Sequence, residues 1–179
     1  TGETPPGKPN VVLIFTDDLG YGDLGCYGNE VIRTPHLDQM AAEGARFTEF
    51  YSISPVCSPS RAGLLTGRYP IRMGIQSVFF PESWTGMAPE EITLAEALKP
   101  AGYRTGCFGM WNLGRNRNPE HMPQAQGFDV YKQPKDLGYD NKPAENPRNG
   151  RGGPAVSYVA NARGRRGNRD PGPGEYLTD

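Results

Sequence analysis

The chain has 179 residues and a formal net charge of −1. That length suffices for one ordinary domain core, and the near-neutral balance gives no electrostatic case for a nucleic-acid or anionic-membrane partner. No apolar run approaches the roughly 20 residues that span a bilayer, and the polar, proline-containing lead up to Pro9 is what a chain trimmed of its signal peptide looks like, and equally what a chain cut there for any other reason looks like.

The first two-thirds alternates strand and helix signals. Val11 to Phe15 is a continuous β-branched and apolar run with polar flanks, which predicts a strand buried on both faces. A loop with Gly20, Gly22, Gly25 and Gly28 follows. Thr34-Pro35 predicts an N-cap and first helical residue, with Leu37, Met40 and Ala41 on one face and a stop at Gly44. Arg46 to Ile53 alternates and carries aromatics, which predicts a second strand. Ser58-Pro59 predicts another N-cap and helix start, running through Leu64-Leu65 to Gly67. Thr93 and Glu96 have capping-box spacing and open a helix with Leu94, Ala97 and Leu98 inward, closed near Pro100 and Gly102. Tyr103 to Phe108 returns as a strand.

Such alternation predicts an α/β fold, a mostly parallel sheet flanked by helices, with right-handed crossovers. Residues 1–141 form the ordered unit. Residues 142–179 read as a surface loop rich in Arg, Gly and Pro that leads into the start of a helix at Glu175. Between Asn146 and Arg169 it holds six arginines and no acidic residue. It lacks interleaved aromatics apart from Tyr158, which argues against an RNA-binding segment.

Asp17 and Asp18 follow the first strand at its carboxyl end, where open α/β sheets bind ligands. Two adjacent carboxylates there suit a hard cation, calcium or magnesium; on these two residues alone a solvated loop pair is the more ordinary account. Cys57 stands at the start of the second helix, where the helix dipole and free N–H groups favour an anion. Arg61 follows one turn later as a fixed, bidentate cation. That pair would suit sulfate or phosphate chemistry, but on the residues alone a small buried thiol beside a surface arginine is the stronger account. The three cysteines, Cys26, Cys57 and Cys107, form no C-x-x-C pair and no disulfide framework. Their odd number leaves at least one free or chemically altered in a monomer.

Larger patterns narrow the choice. Cys57-Ser58-Pro59-Ser60-Arg61, continuing to Thr66-Gly67-Arg68 after the leucine pair, closely resembles the signature of the sulfatase family. Pro9-Asn10-Val11 through Asp17-Asp18-Leu19-Gly20-Tyr21-Gly22-Asp23 resembles the opening strand and metal site of that family. Thr34-Pro35-His36-Leu37-Asp38, Gly127-Phe128-Asp129 and Tyr139-Asp140-Asn141 are similar to further landmarks of its arylsulfatase branch, in family order. The resemblance implies the N-terminal, incomplete part of an alkaline-phosphatase-like α/β domain and a sulfuric ester hydrolase acting on an aryl or carbohydrate sulfate.

It also implies that a formylglycine-generating maturation enzyme oxidises Cys57, and that Arg61 holds the resulting group. Asp17, Asp18 and the modified Cys57 side chain would bind calcium, in preference to magnesium. Further metal ligands and another lysine and histidine are expected beyond Asp179, in a secreted, periplasmic or lysosomal protein.

One stretch departs from the family. Where its members read G-K-W-H-L-G, this chain has Gly109-Met110-Trp111-Asn112-Leu113-Gly114. The substrate-binding lysine and histidine positions are therefore Met110 and Asn112, a neutral thioether and an amide that is no base near neutral pH. These two changes support one alternative, a catalytically dead, sulfatase-like binder of sulfated glycans; the shared nucleophile motif leaves another, a formylglycine-dependent phosphodiesterase or phosphonate hydrolase. His36 is expected at the surface and His121 outside the chemistry, with Cys26, Cys107, Trp84 and Trp111 as packing residues.

Overall fold

A computed structural model describes residues 7–80, 83–114 and 118–137, with the backbone of a further strand at 156–161. The α/β expectation holds. Strand β1 (Val11–Phe15) occupies the predicted apolar run. Helices α1 (Pro35–Glu43), α2 (Cys57–Thr66) and the short α3 (Leu94–Leu98) separate it from strands β2 (Arg104–Phe108) and β3 (Val130–Lys132). Strand β4 (Val156–Asn161) completes a four-stranded sheet of order β1-β4-β2-β3.

β4 pairs antiparallel with β1, Val11 opposite Ala160, and with β2, Arg104 opposite Asn161. β2 and β3 pair in parallel. Three strands therefore share one direction and β4 opposes them. β4 falls inside the segment read as a surface loop. Its sequence, Val-Ser-Tyr-Val-Ala, favours extended backbone, and it takes up the hydrogen-bonding edges of both β1 and β2. The rest of 138–179, including Tyr139-Asp140-Asn141 and the helix start expected at Glu175, lies outside the described residues.

The core gathers Ala62 and Leu65 of α2, Ala95 of α3, Cys107 of β2, and Ile75, Met87, Trp111, Leu113 and Phe128. Leu13 and Phe15 pack against it from β1. β1 is not buried on both faces as expected: Val12 and Ile14 on its other side are 60% and 53% exposed. Neighbouring residues point to opposite sides of a strand, and among the described residues only the Leu13/Phe15 side meets the core. Along α3 the inward residue is Ala95, not Leu94 or Ala97. The predicted capping box forms, with Glu96 N–H donating to the Thr93 hydroxyl and Thr93 N–H to the Glu96 carboxylate. The Thr93 hydroxyl also donates to Gln126 O at 2.7 Å, and this sets the roll of the helix.

α1 starts at Pro35 and stops at Gly44 as predicted, but its apolar residues Leu37 and Met40 are exposed. Thr34 does not cap its own helix. Its hydroxyl accepts from Gly25 N–H and donates to Asp38, both at 2.9 Å, while Asp38 accepts from Cys26 N–H at 2.6 Å. The Thr-Pro-His-Leu-Asp segment thus fastens the glycine-rich loop onto α1. Cys26 is half-exposed there rather than buried.

Residues 46–53 form no strand. Their backbone groups find tyrosine hydroxyls instead of a ladder: Tyr27 donates to Phe47 O at 2.6 Å, and Tyr21 accepts from Phe50 N–H at 2.9 Å. The segment then crosses α2 at Gly63, where a Cβ would stand 2.5 Å from Ile53 Cγ2. A glycine inside a helix costs about 0.5–1 kcal/mol relative to alanine, and here it permits that crossing.

Asp129 joins the start of β3 to β2. Burial pushes its carboxyl up, but hydrogen bonds from Thr105 and the ion pair with Lys99 outweigh this and hold it below the usual carboxylate range. Thr105 N–H donates to it at 2.7 Å, and Lys99 Nζ lies 3.3 Å away. A depressed folded pKa contributes stability that is present above the unfolded value and lost as pH falls through the folded one. Asp129→Asn should therefore lower the urea midpoint at pH 7 and flatten its fall on acidification below about pH 4.

Candidate active site

The carboxyl end of β1, the first turn of α2 and the turn leaving β2 meet at one buried side chain, Arg61. Its guanidinium is 1% exposed. Nη1 donates to Met110 O at 2.9 Å, and Nη2 lies 3.6 Å from Asp17 Oδ1 and 3.9 Å from Met110 Sδ. The Phe15 ring centroid is 5.6 Å from Cζ, within cation–π range. Nε is buried and has no hydrogen-bond partner among the described residues. The charge is thus held by one carbonyl, one ring and a single carboxylate at the margin of ion-pair distance.

Cys57 is the first residue of α2, with Val56 rather than Ser58 as N-cap. The helix begins earlier than expected, so Pro59 falls at its third position, where it still removes an N–H that has no intrahelical partner. Residues four apart lie on one helix face. Cys57, half-exposed, therefore stands one turn above Arg61 on the side that Arg61 turns toward the end of β1.

The turn after β2 starts at Gly109, whose φ of 101° is costly for residues with a Cβ and whose N–H donates to Lys132 O at 2.8 Å. Trp111 and Leu113 are buried: the indole N–H donates to His121 O at 2.7 Å, and its ring meets Phe128 edge-on. Met110 and Asn112 are half-buried between them. Asp18 and Asn112 both have left-handed backbone, with φ of 53° and 55°, a conformation that Asp and Asn tolerate better than most residues.

The structure thus brings Asp17, Arg61 and Met110 into contact and sets Cys57 and Asn112 beside them. It does not assemble Asp17, Asp18 and Cys57 as a metal cluster. Among the described residues no group of three or more His, Cys, Asp or Glu side chains is arranged to hold an ion, and Asp17 faces Arg61. Two carboxylates fall well short of the 6–8 oxygens that calcium takes, so these residues alone do not fit the ion. Cys107 is a buried packing residue. Burial pushes its thiol well above the usual range, and the nearby Arg61 charge offsets only part of that. Trp111 packs as expected, whereas Trp84 is largely exposed. His36 is at the surface, and His121 is engaged with Met87 O.

Sequence reasoning missed Ser58. It is fully buried, donates to Asn112 O at 2.7 Å and accepts from Phe79 N–H at 2.9 Å. Both partners are distant in sequence, and no local pattern announces them.

A family model described as Sulfatase matches residues 9–177. Arylsulfatase A of Homo sapiens is 55% identical over 121 residues, covering 67% of this chain and 24% of that protein. Steryl-sulfatase of Rattus norvegicus is 49% identical over 137 residues, covering 71% and 24%. The chain spans about a quarter of the length of these curated relatives. The crystal structure of Ps i-CgsB matches with a TM-score of 0.64 at 39% identity, covering 67% of this chain and 26% of that one. A structure of Ps i-CgsB in complex with k-i-k-neocarrahexaose matches with a TM-score of 0.63 at 38% identity, covering 66% and 26%.

If Asp17 offsets the buried guanidinium, Asp17→Asn should destabilise the fold by about 1–3 kcal/mol. Asp18→Asn, with no charge to unbalance at Arg61, should stay within about 0.5 kcal/mol. Urea titration of the two variants checks the contrast.

Proposed function

Because the chain belongs to the sulfatase family, we propose that it is the nucleophile-bearing segment of a sulfuric ester hydrolase whose Cys57 is oxidised to formylglycine by a maturation enzyme. The observation that carries this reading is the placement of Cys57 at the first position of α2, one turn above a buried Arg61 that already holds the end of β1. Hydrated, the aldehyde supplies two hydroxyls, one to displace the alcohol at sulfur and the other to expel sulfate as the carbonyl re-forms. Arg61 orients that group and stabilises charge developing on its oxygens, from a buried position where its own charge is little screened. Asp17 holds Arg61 in place.

Calcium is expected in the family. Asp17 and Asp18 are the donors this segment would contribute toward it. The substrate class is an aryl or carbohydrate sulfate. Relatives named as arylsulfatase and steryl-sulfatase support sulfate over a phosphodiester or phosphonate, and a structural relative bound to a neocarrahexaose supports a glycan. A compartment outside the cytosol fits these relatives, and no helix among the described residues is long and apolar enough to cross a membrane.

Met110 favours a second reading, a sulfated-glycan binder with little turnover. Its sulfur sits 3.9 Å from Arg61, where the family places a lysine, and Asn112 supplies no proton acceptor. Loss of one such group costs ~10²–10⁴ in rate. Retention of Arg61 and Asp17 leaves anion recognition in place under both readings.

Two measurements follow. After co-expression with a formylglycine-generating enzyme, the peptide containing Cys57 should lose about 18 Da, from CH₂SH to CHO; a peptide that keeps its thiol mass argues against the assignment. In the full-length protein, Met110→Lys with Asn112→His should raise aryl sulfate hydrolysis by ~10²-fold or more, and each change alone should give less than its share. An unaltered protein turning over at on the order of 1–10³ s⁻¹ would mean that a different base does the work.

A further inference from the structure

We propose that Ser58 is a positioning residue for the reaction at Cys57: its buried hydroxyl fixes the backbone of residue 112, and so the group carried there, relative to the nucleophile. This rests on the sulfatase reading and goes beyond it, because it assigns a role to the residue between the nucleophile and Pro59. The two serines flanking Pro59 behave differently. Ser60 turns back onto its own helix and donates to Cys57 O at 2.9 Å, the local pattern common for serine near a helix start. Ser58 makes no such bond in the structure and points into the protein. Its hydroxyl donates to Asn112 O at 2.7 Å, 54 residues away in sequence, and accepts from Phe79 N–H at 2.9 Å, 21 residues away.

Three features make this more than a packing contact. Ser58 is 0% exposed, so water does not replace either bond. The carbonyl it holds belongs to a residue with φ of 55°, a conformation that needs external support in a non-glycine residue. And the next residue up the chain is Cys57 itself, so the bond ties the first turn of α2 directly to the 109–114 turn. Arg61 ties the same two elements one helical turn further on, through Met110 O. Ser58 and Arg61 together are two rungs between nucleophile helix and turn: the Arg61 rung fixes residue 110 and the Ser58 rung fixes residue 112.

The test uses the full-length protein carrying Met110→Lys and Asn112→His, with conversion of Cys57 confirmed by mass in every variant. Adding Ser58→Ala should lower kcat by ~10²-fold, the scale of a small misplacement of a reacting group, with KM within about two-fold. Ser58→Thr, which keeps the hydroxyl, should recover most of that rate. Amide exchange at Phe79 and across 110–114 should speed up in Ser58→Ala and not in Ser58→Thr. Faster exchange with unchanged kcat makes Ser58 merely structural and overturns the proposal, as does unchanged exchange at Phe79. If Ser58→Ala does not fold, Ser58→Thr decides: slow exchange and retained kcat support the proposal, and loss of both overturns it. Absence of hydrolysis in every background, Ser58 intact and Cys57 converted, counts against the sulfatase reading itself. Hydrolysis that is indifferent to Ser58→Ala counts against the positioning role alone.

Discussion

A guanidinium buried almost completely is the constraint around which this structure is arranged. Taking such a charge out of water costs several kcal/mol even after relaxation, and Arg61 recovers that cost through three groups from three parts of the chain. Phe15 supplies a ring from the end of β1, Asp17 a carboxylate from just beyond it, and Met110 a carbonyl from the turn after β2. Each contact requires its element to end where it does. The elements that compensate the charge are also those that carry the candidate site, so local packing and the geometry of that site are one arrangement here. Among the described residues Nε has no hydrogen-bond partner, so their compensation of the charge is partial.

The neighbouring thioether bears on this balance. A lysine at position 110 would bring a second cation toward a guanidinium that already lacks full compensation, and like charges in a low-dielectric site repel strongly. Methionine removes that repulsion and keeps a flexible, polarizable chain against the arginine. The expected consequence is less repulsion around Arg61 and a less positive potential at this turn.

Much of this was legible in the sequence, for identifiable reasons. β1, α1, the capping box at Thr93 and the stop at Gly67 depend on nearest-neighbour chemistry, and local patterns report such features. The convergence of Asp17, Arg61 and Met110 was legible only because several motifs recur together in family order. What escaped was decided at a distance. Arg46 to Ile53 has strand-like alternation, yet its backbone partners are the hydroxyls of Tyr21 and Tyr27. Thr34 resembles a cap and serves a loop nine residues away. Val156 to Asn161 lay hidden in an arginine-rich stretch because its partners are β1 and β2. Ser58 had no signal at all, since both of its bonds reach across the fold.

The left-handed backbone at residue 112 has an evolutionary consequence. A β-branched or bulky residue is strained there, whereas Asn, Asp and His are the side chains that best tolerate the conformation. Histidine and asparagine codons differ by a single base, and so do the methionine codon and one of the two lysine codons. On the sulfatase reading, two point mutations would separate this turn from the family's, in either direction, without disturbing the backbone that carries them. The scaffold keeps the way back open: the clasp at Ser58, the glycine at 109 and the buried Trp111 all serve the turn whichever side chain it displays.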